Sequence, residues 1–210
     1  MRRSVAVFAA LTAGLACGDS TEPTLHLIQN GSFEAGGFAN WTTYDAPGGD
    51  QLGWIITGDT LMPSALVVLP PPDSALGAMT SQDGAGTHVL YQDVAIPANR
   101  TATLRVTIYL VSSAAFVNGQ DIGLRWDSLP NQQFRVDVVD PAAEVTDVGA
   151  GVLLNVYRTM PGDSLSSGYI ELSANLTAFA GRTVRIRFAE TDNQNFLHAG
   201  VDAVDLEVTD

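Results

Sequence analysis

Apolar and polar side chains alternate with a period of two over much of this chain, and no other feature restricts its fold as strongly. Leu104, Val106, Ile108 and Leu110 share one face of an extended segment, with Arg105, Thr107 and Tyr109 on the other. Phe134, Val136 and Val138 alternate with Arg135 and Asp137 in the same way. Val184, Ile186 and Phe188 alternate with Arg185 and Arg187, and Val204, Leu206 and Val208 with Asp205 and Glu207. These runs predict strands over residues 103–110, 133–139, 183–188 and 201–208. Weaker runs predict strands over 25–28, 54–57, 65–69, 87–94, 122–126, 152–157 and 169–172. Gly, Pro, Asn and Asp punctuate the pattern, and no long stretch after residue 25 has a 3.6-residue apolar period. One helical turn is expected over 176–180, ahead of Gly181. About ten short strands joined by turns predict an all-β fold, a two-sheet antiparallel β-sandwich. The Pro70-Pro71-Pro72 run reads as a rigid loop, so residues 25–210 are expected to form one domain.

Composition narrows the function classes. The chain has 210 residues, 46% of them hydrophobic, which is enough for a substantial core. Its formal charge of −13 argues against nucleic acid, because phosphate neutralisation needs clustered Lys and Arg. All the basic side chains but the histidines are Arg, which removes phosphate-loop and Schiff-base lysine chemistry. The single cysteine excludes an internal disulfide framework and any multi-cysteine zinc site.

The cysteine has a more specific setting. Arg2 and Arg3 precede an apolar run from Val5 to Leu15, which is too short to span a membrane and resembles the core of a signal peptide. The run ends in Gly14-Leu15-Ala16-Cys17 and resembles the lipobox of bacterial lipoproteins, with Gly14 where the family usually has Leu. The resemblance implies cleavage of residues 1–16, lipidation of Cys17 and a polar tether over residues 17–24. It places the protein in the bacterial cell envelope, lipid-anchored, or secreted if the cysteine stays free. Without residues 1–16 the remaining 8 Arg face 23 acids, a formal charge of −15.

Residues 30–41 begin Asn30-Gly31-Ser32-Phe33-Glu34 and end in Trp41. This looks like the opening motif of jelly-roll carbohydrate-binding modules and related galactose-binding-like domains. The closing stretch Gly200-Val201-Asp202-Ala203-Val204 is similar to their last strand. Leu90-Tyr91-Gln92-Asp93-Val94 and Phe134-Arg135-Val136-Asp137 also resemble strands of that superfamily. In these modules the opening and closing motifs lie side by side and often share a structural Ca²⁺. The resemblance therefore implies a calcium site from Ser32, Glu34 and Asp202, with Ala203 standing where the family has a second Asp. Carboxylates and backbone carbonyls of an irregular loop are the hard oxygens that Ca²⁺ prefers. The competing reading is that Glu34 caps a turn and Asp202 accepts backbone N–H bonds, with no metal held.

Sugar recognition uses aromatic rings stacked on C–H faces, with polar groups reading the hydroxyls. The candidates are Tyr91, Tyr109, Trp126 and Tyr157, with Arg105 and Gln92 as polar partners. Each of these rings has a competing reading as core packing, and Trp41 and Trp54 are assigned to the core. Among the histidines, His26, His88 and His198 show no metal-ligand spacing; Glu190, Asp192 and His198 could meet at one loop end as acid and base. Asp83-Gly84-Ala85-Gly86 reads as a turn, and sequons at Asn30, Asn40, Asn99 and Asn175 as incidental. Arg185 and Arg187 are expected to point outward and pair with cross-strand acids such as Asp137.

These readings converge on a surface-anchored, non-catalytic binding module for glycan with a structural calcium. The alternative is an adhesive envelope lipoprotein with a protein partner. A carbohydrate-active enzyme on the same fold ranks third.

Overall fold

The computed structural model describes residues 23–58, 62, 67–81, 84–118 and 123–210. The signal-peptide and Cys17 readings lie outside the described residues. Eleven described strands run in chain order: β1 Leu25–His26, β2 Thr42–Asp45, β3 Trp54–Thr57, β4 Gly77–Thr80, β5 Gly86–Ala95, β6 Thr101–Ser112, β7 Gln132–Val139, β8 Val152–Arg158, β9 Ser166–Asn175, β10 Thr183–Asp192 and β11 Leu197–Thr209. They form two antiparallel sheets, β3-β4-β11-β6-β9 with β1 also on β11, and β2-β5-β10-β7-β8. The chain is a two-sheet β-sandwich, with one 3₁₀ turn at Thr177–Phe179 where a helical turn was expected.

The alternation does what it predicts. Leu104, Val106, Ile108, Phe134, Val136, Val184, Ile186, Phe188, Val204 and Leu206 fill the space between the sheets, all at 5% exposure or less. Trp41 and Trp54 join this core. Removing such apolar surface from water is the main driving force for the sandwich, roughly 25 cal/mol per Å².

Four expectations are corrected. Residues 123–126 of the expected strand 122–126 form a turn and an irregular segment, and Ile122 lies outside the described residues. Of the expected strand 65–69, only Val67 has ladder character, and residues 65 and 66 lie outside the described residues. Two strands show no alternation in the sequence: β2 is a short polar edge, and β4 is buried on both faces. Finally, Arg185 and Arg187 do leave the core side of β10, but the loop 140–151 roofs part of that outer face. Arg187 is fully buried and Arg185 nearly so.

The two ends of the sandwich differ. β1 pairs Leu25 with Val208, so the chain enters beside the end of β11. β11 starts at the opposite end, where Leu197 pairs with Ser112. At about 3.4 Å per residue, roughly 35 Å separates them. The loops 46–53, 123–131 and 193–196 gather at the far end, held by Asp50 N–H to Ala85 C=O and Asn131 N–H to Asn193 Oδ1.

Candidate functional site

The opening motif turns out to be structural chemistry. Asn30 sits at φ 53° and Phe33 at φ 59°, both in the left-handed region, so residues 30–33 bend sharply. The Asn30 amide donates to the carbonyls of Gly37 and Ala39, while Trp41 Nε1–H donates to the Asn30 carbonyl at 3.0 Å. Phe33 is fully buried, 5.5 Å from the Trp41 ring, and Trp41 lies 5.9 Å from Phe188. The motif is a plug inserted between the sheets. Gly31 accepts from Val204 N–H at the bulge in β11, and a side-chain carbon on Gly31 would collide with the Val204 carbonyl. Opening and closing motifs do lie side by side.

Their carboxylates are occupied by backbone donors. Glu34 Oε1 accepts from Ala75 and Leu76 N–H at 2.9 and 2.7 Å. Asp202 accepts from Asp73 N–H at 3.1 Å and from Ala203 N–H at 2.8 Å. Burial, with Asp73 and Glu34 adding like charge, raises the Asp202 pKa to about 6. Among the described residues, no three acidic, histidine or cysteine side chains converge as a metal-ligand group. The pair clamps the 73–76 loop to the core edge.

The six sugar-binding candidates do not share one surface. Tyr109 is 3% exposed, its ring 4.9 Å from that of Tyr169, under the side chains of Met62 and Val68. Arg105 is exposed on the same outer face, between Glu171 and Glu207. Gln92 is buried on the core side, exchanging two hydrogen bonds with the Gln29 backbone. Tyr157 is half-buried at the core edge, 6.5 Å from Phe134, and burial with the Asp163 charge raises its pKa. Tyr91 is half-buried on the outer face of the second sheet, beneath the Arg185 guanidinium at 4.1 Å. Arg185 is itself held by Asp93 in a two-bond fork.

Trp126 lines a cavity. Its volume is about 250 Å³, and it is walled by Tyr44, Ala46, Pro47, Leu124, Arg125, Asp127 and Thr146 as well. Tyr44 comes from β2, Trp126 from the loop before β7 and Thr146 from the loop 140–151. The Trp126 ring rests on the Gly48-Gly49 turn, where an added side-chain carbon on Gly49 would press against it. Its carbonyl accepts from the Asn193 amide. Arg125 and Asp127, both well exposed, form a forked ion pair at the rim, and that pairing lowers the Asp127 pKa. Two rings, a few aliphatic groups and charged hydrogen-bonding groups at the edge make a concave site of the kind that takes small polar ligands. Tyr44 and Thr146 carry no sequence pattern that would have singled them out; only the pairing of β2 with β5 and the roofing loop bring them to Trp126.

Of the three acid–base candidates, Glu190 and Asp192 stand on β10 and His198 on β11 of the other sheet. Glu190 is fully buried, level with His88 across the β5–β10 ladder, while His198 Nδ1–H donates to the Thr80 carbonyl at 2.7 Å in the other sheet. His88, also buried, bonds Asp45 Oδ1 through Nδ1 at 2.6 Å. Asp192 accepts from Gly86 N–H, and burial together with the Asp50 charge pushes its pKa well up. It lines a second cavity of about 250 Å³ with Gly84, Ala85 and residues 193–196. Three sequon residues, Asn30, Asn40 and Asn99, occupy left-handed turn positions that Asn tolerates well.

Solved structures share this fold at low identity. The carbohydrate-binding module TmCBM61 in complex with β-1,4-galactotriose matches with a TM-score of 0.52 at 13% identity, covering 87% of this chain and 97% of that one. The K3 cleaved adhesin domain of Lys-gingipain from Porphyromonas gingivalis matches with a TM-score of 0.52 at 15% identity, covering 88% and 97%. A Stig cyclase, Fisc from Fischerella, matches with a TM-score of 0.50 at 16% identity, covering 89% and 98%. No family model and no curated protein sequence matches the chain. The β-sandwich is thus shared with carbohydrate-binding modules, adhesin domains and a cyclase, and fold alone does not choose among them.

Proposed function

We propose that this protein is a non-catalytic binding module that takes glycan in the Tyr44–Trp126 cavity. The observation that carries the reading is the cavity itself: one ring from β2 and one from the loop before β7, with an ion pair at its rim, at the end of the sandwich away from the incoming chain. In this reading residues 1–16 are a signal peptide, Cys17 is lipidated, residues 17–24 are a tether and residues 25–210 a single domain. The tether then enters at one end and the cavity faces away from the envelope surface. A glycan array that includes β-1,4-galactotriose tests it, probed with the Cys17→Ser chain in Ca²⁺ and in chelator. Binding that Trp126→Ala abolishes supports the reading; silence across the array overturns it.

Calcium belongs to the same proposal, at Glu34 and Asp202. What supports it is the like charge that Asp73 and Glu34 add at buried Asp202, which a cation there would relieve. Binding would have to take oxygens that now accept backbone N–H bonds. A rise in melting temperature at millimolar Ca²⁺, absent in Asp202→Asn, is the expected result.

A protein partner is the second reading, favoured by one surface. Val67 and Leu69 are 73% and 54% exposed on either side of buried Val68, and Leu69 leads into the Pro70–Pro72 run. Loss of the array signal with retained cell-envelope cross-links to another protein would favour it.

A further inference from the structure

A buried charge cluster lies directly behind the cavity wall. Asp137 and Arg187 are both fully buried, and Arg135 nearly so. Asp137 accepts from Arg187 Nη2 at 2.6 Å, from Arg135 Nε and Nη2 at 3.0 and 3.2 Å, and from the Asn155 amide at 2.7 Å. Two guanidiniums therefore share one carboxylate. The second positive charge is met from above, where Arg187 Nη1 donates to the carbonyls of Val145 and Asp147 at 2.8 and 2.6 Å. Those carbonyls flank Thr146, the residue that the loop 140–151 contributes to the Tyr44–Trp126 cavity.

This arrangement is a poor way to gain stability. Taking charges out of water costs more than their attraction returns unless every donor is used, and packed apolar side chains of similar size commonly do as well. Here one donor is not used, since Arg187 Nε is buried without a hydrogen-bond partner. What the network supplies, and apolar packing does not, is direction. A rigid fork fixed on Asp137 aims two N–H bonds at two specified carbonyls. The rest of the loop is tied within itself: Asp147 accepts from Gly149 and Gly151 N–H at 2.7 Å each, which together lower its pKa. The Arg187 bonds fix this loop to the sheet through hydrogen bonds from a charged group.

We infer that Arg187 is a positioning residue for the ligand site, holding Thr146 in the cavity wall through the Val145 and Asp147 carbonyls before any ligand arrives. The inference rests on the reading of that cavity as the binding site. Its benefit is pre-organisation: a wall already ordered adds no ordering cost at binding. Arg135 holds Asp137 in place, and Asp137 holds Arg187.

The loop 159–165 is a natural control, because it has the same kind of turn without an arginine staple: Asp163 N–H bonds the Met160 carbonyl, and Met160 N–H bonds Asp163 Oδ2. Amide hydrogen exchange in the parent protein should show Asp147, Gly149 and Gly151 protected at least about tenfold more than Asp163, the scale of one hydrogen bond of net stability. A triple variant, Arg135→Met with Asp137→Leu and Arg187→Met, should keep a cooperative unfolding transition while that extra protection disappears. Its affinity for β-1,4-galactotriose, or for whichever array glycan the parent binds, should fall about tenfold. Arg187→Lys, which keeps the charge but loses the fork, should restore part of the protection and is the fallback if the triple variant does not fold. Equal exchange of the two loops in the parent overturns the inference, as does unchanged protection in a folded triple variant. Exchange is read without ligand, so an array on which the parent binds nothing would sink the glycan reading and leave this test intact.

Discussion

Arg187 and Asp137, fifty positions apart in the sequence, meet at 2.6 Å on neighbouring strands, with neither side chain exposed to water. Their register fixes the pairing, because Arg187 stands directly opposite Asp137 in the β7–β10 ladder. Removing Asp137 alone leaves the Arg187 and Arg135 guanidiniums buried without a counter-charge. Asp137→Ala should therefore cost about 3–5 kcal/mol, the usual penalty for breaking a buried ion pair from one side. Urea unfolding would measure it, and a loss below about 1 kcal/mol would mean that water reaches the two arginines.

The plug formed by the opening motif leads to a second expectation. Phe33 has no exposed surface and packs on both Phe38 and Trp41. Phe33→Ala should destabilise by about 3–5 kcal/mol, the range for deleting a buried aromatic ring. Asn30→Gly should be far milder, since Gly adopts the left-handed backbone freely and only the side-chain bonds to Gly37 and Ala39 are lost. The same urea series that measures Asp137→Ala would separate the two, and equal losses would mean that the bend matters as much as the ring.

Much of this architecture could be read from alternation alone, and the reasons for the misses are physical. The strands at 103–110, 133–139, 183–188 and 201–208 form because a half-buried strand must alternate. Gly77-Ala78-Met79-Thr80 was missed because a strand covered on both faces has no reason to. Alternation likewise assigned Arg187 to the face away from the core, and that is correct; it could not show that the loop 140–151 would cover that face. The residues of the Tyr44–Trp126 cavity are the least legible. Trp126 stood out as a large ring, but Tyr44 and Thr146 reach it only through strand pairing and a loop pinned from below, and neither leaves a local pattern.

Stability should rise on mild acidification. Asp202 has a folded-state pKa of about 6, above its ordinary value, and burial also raises that of Asp192. A carboxyl with a raised folded pKa binds its proton more tightly folded than unfolded, so its ionisation opposes folding. Below about pH 4 the group is neutral in both states and costs nothing; the cost grows as pH rises and is complete above the folded pKa. The contribution of Asp202 to stability should accordingly fall between about pH 4 and pH 6, with Asp192 extending the decline upward. Thermal unfolding in chelator at pH 5 and pH 7 should give a higher midpoint at pH 5, and Asp202→Asn should shrink the difference. A midpoint that is the same or lower at pH 5 in both proteins would show that other groups govern this range.

Trp126 gives the sharpest test of binding. Its ring rests against the Gly48-Gly49 turn, its backbone carbonyl accepts from the Asn193 amide, and with Tyr44 it lines a cavity of about 250 Å³. A sugar entering there would stack C–H bonds on an indole face that is already fixed. Trp126→Ala removes that face but no core residue, because the ring is only half-buried. The variant should unfold within about 1 kcal/mol of the parent, as surface changes do. Binding should weaken far more, by about 1.5 kcal/mol or over tenfold, with Trp126→Phe intermediate because it keeps a smaller aromatic face. Calorimetric titration against the best glycan from the array gives both numbers. If Trp126→Ala binds as the parent does, the sugar sits elsewhere, and the second cavity beside Asp192 becomes the place to look.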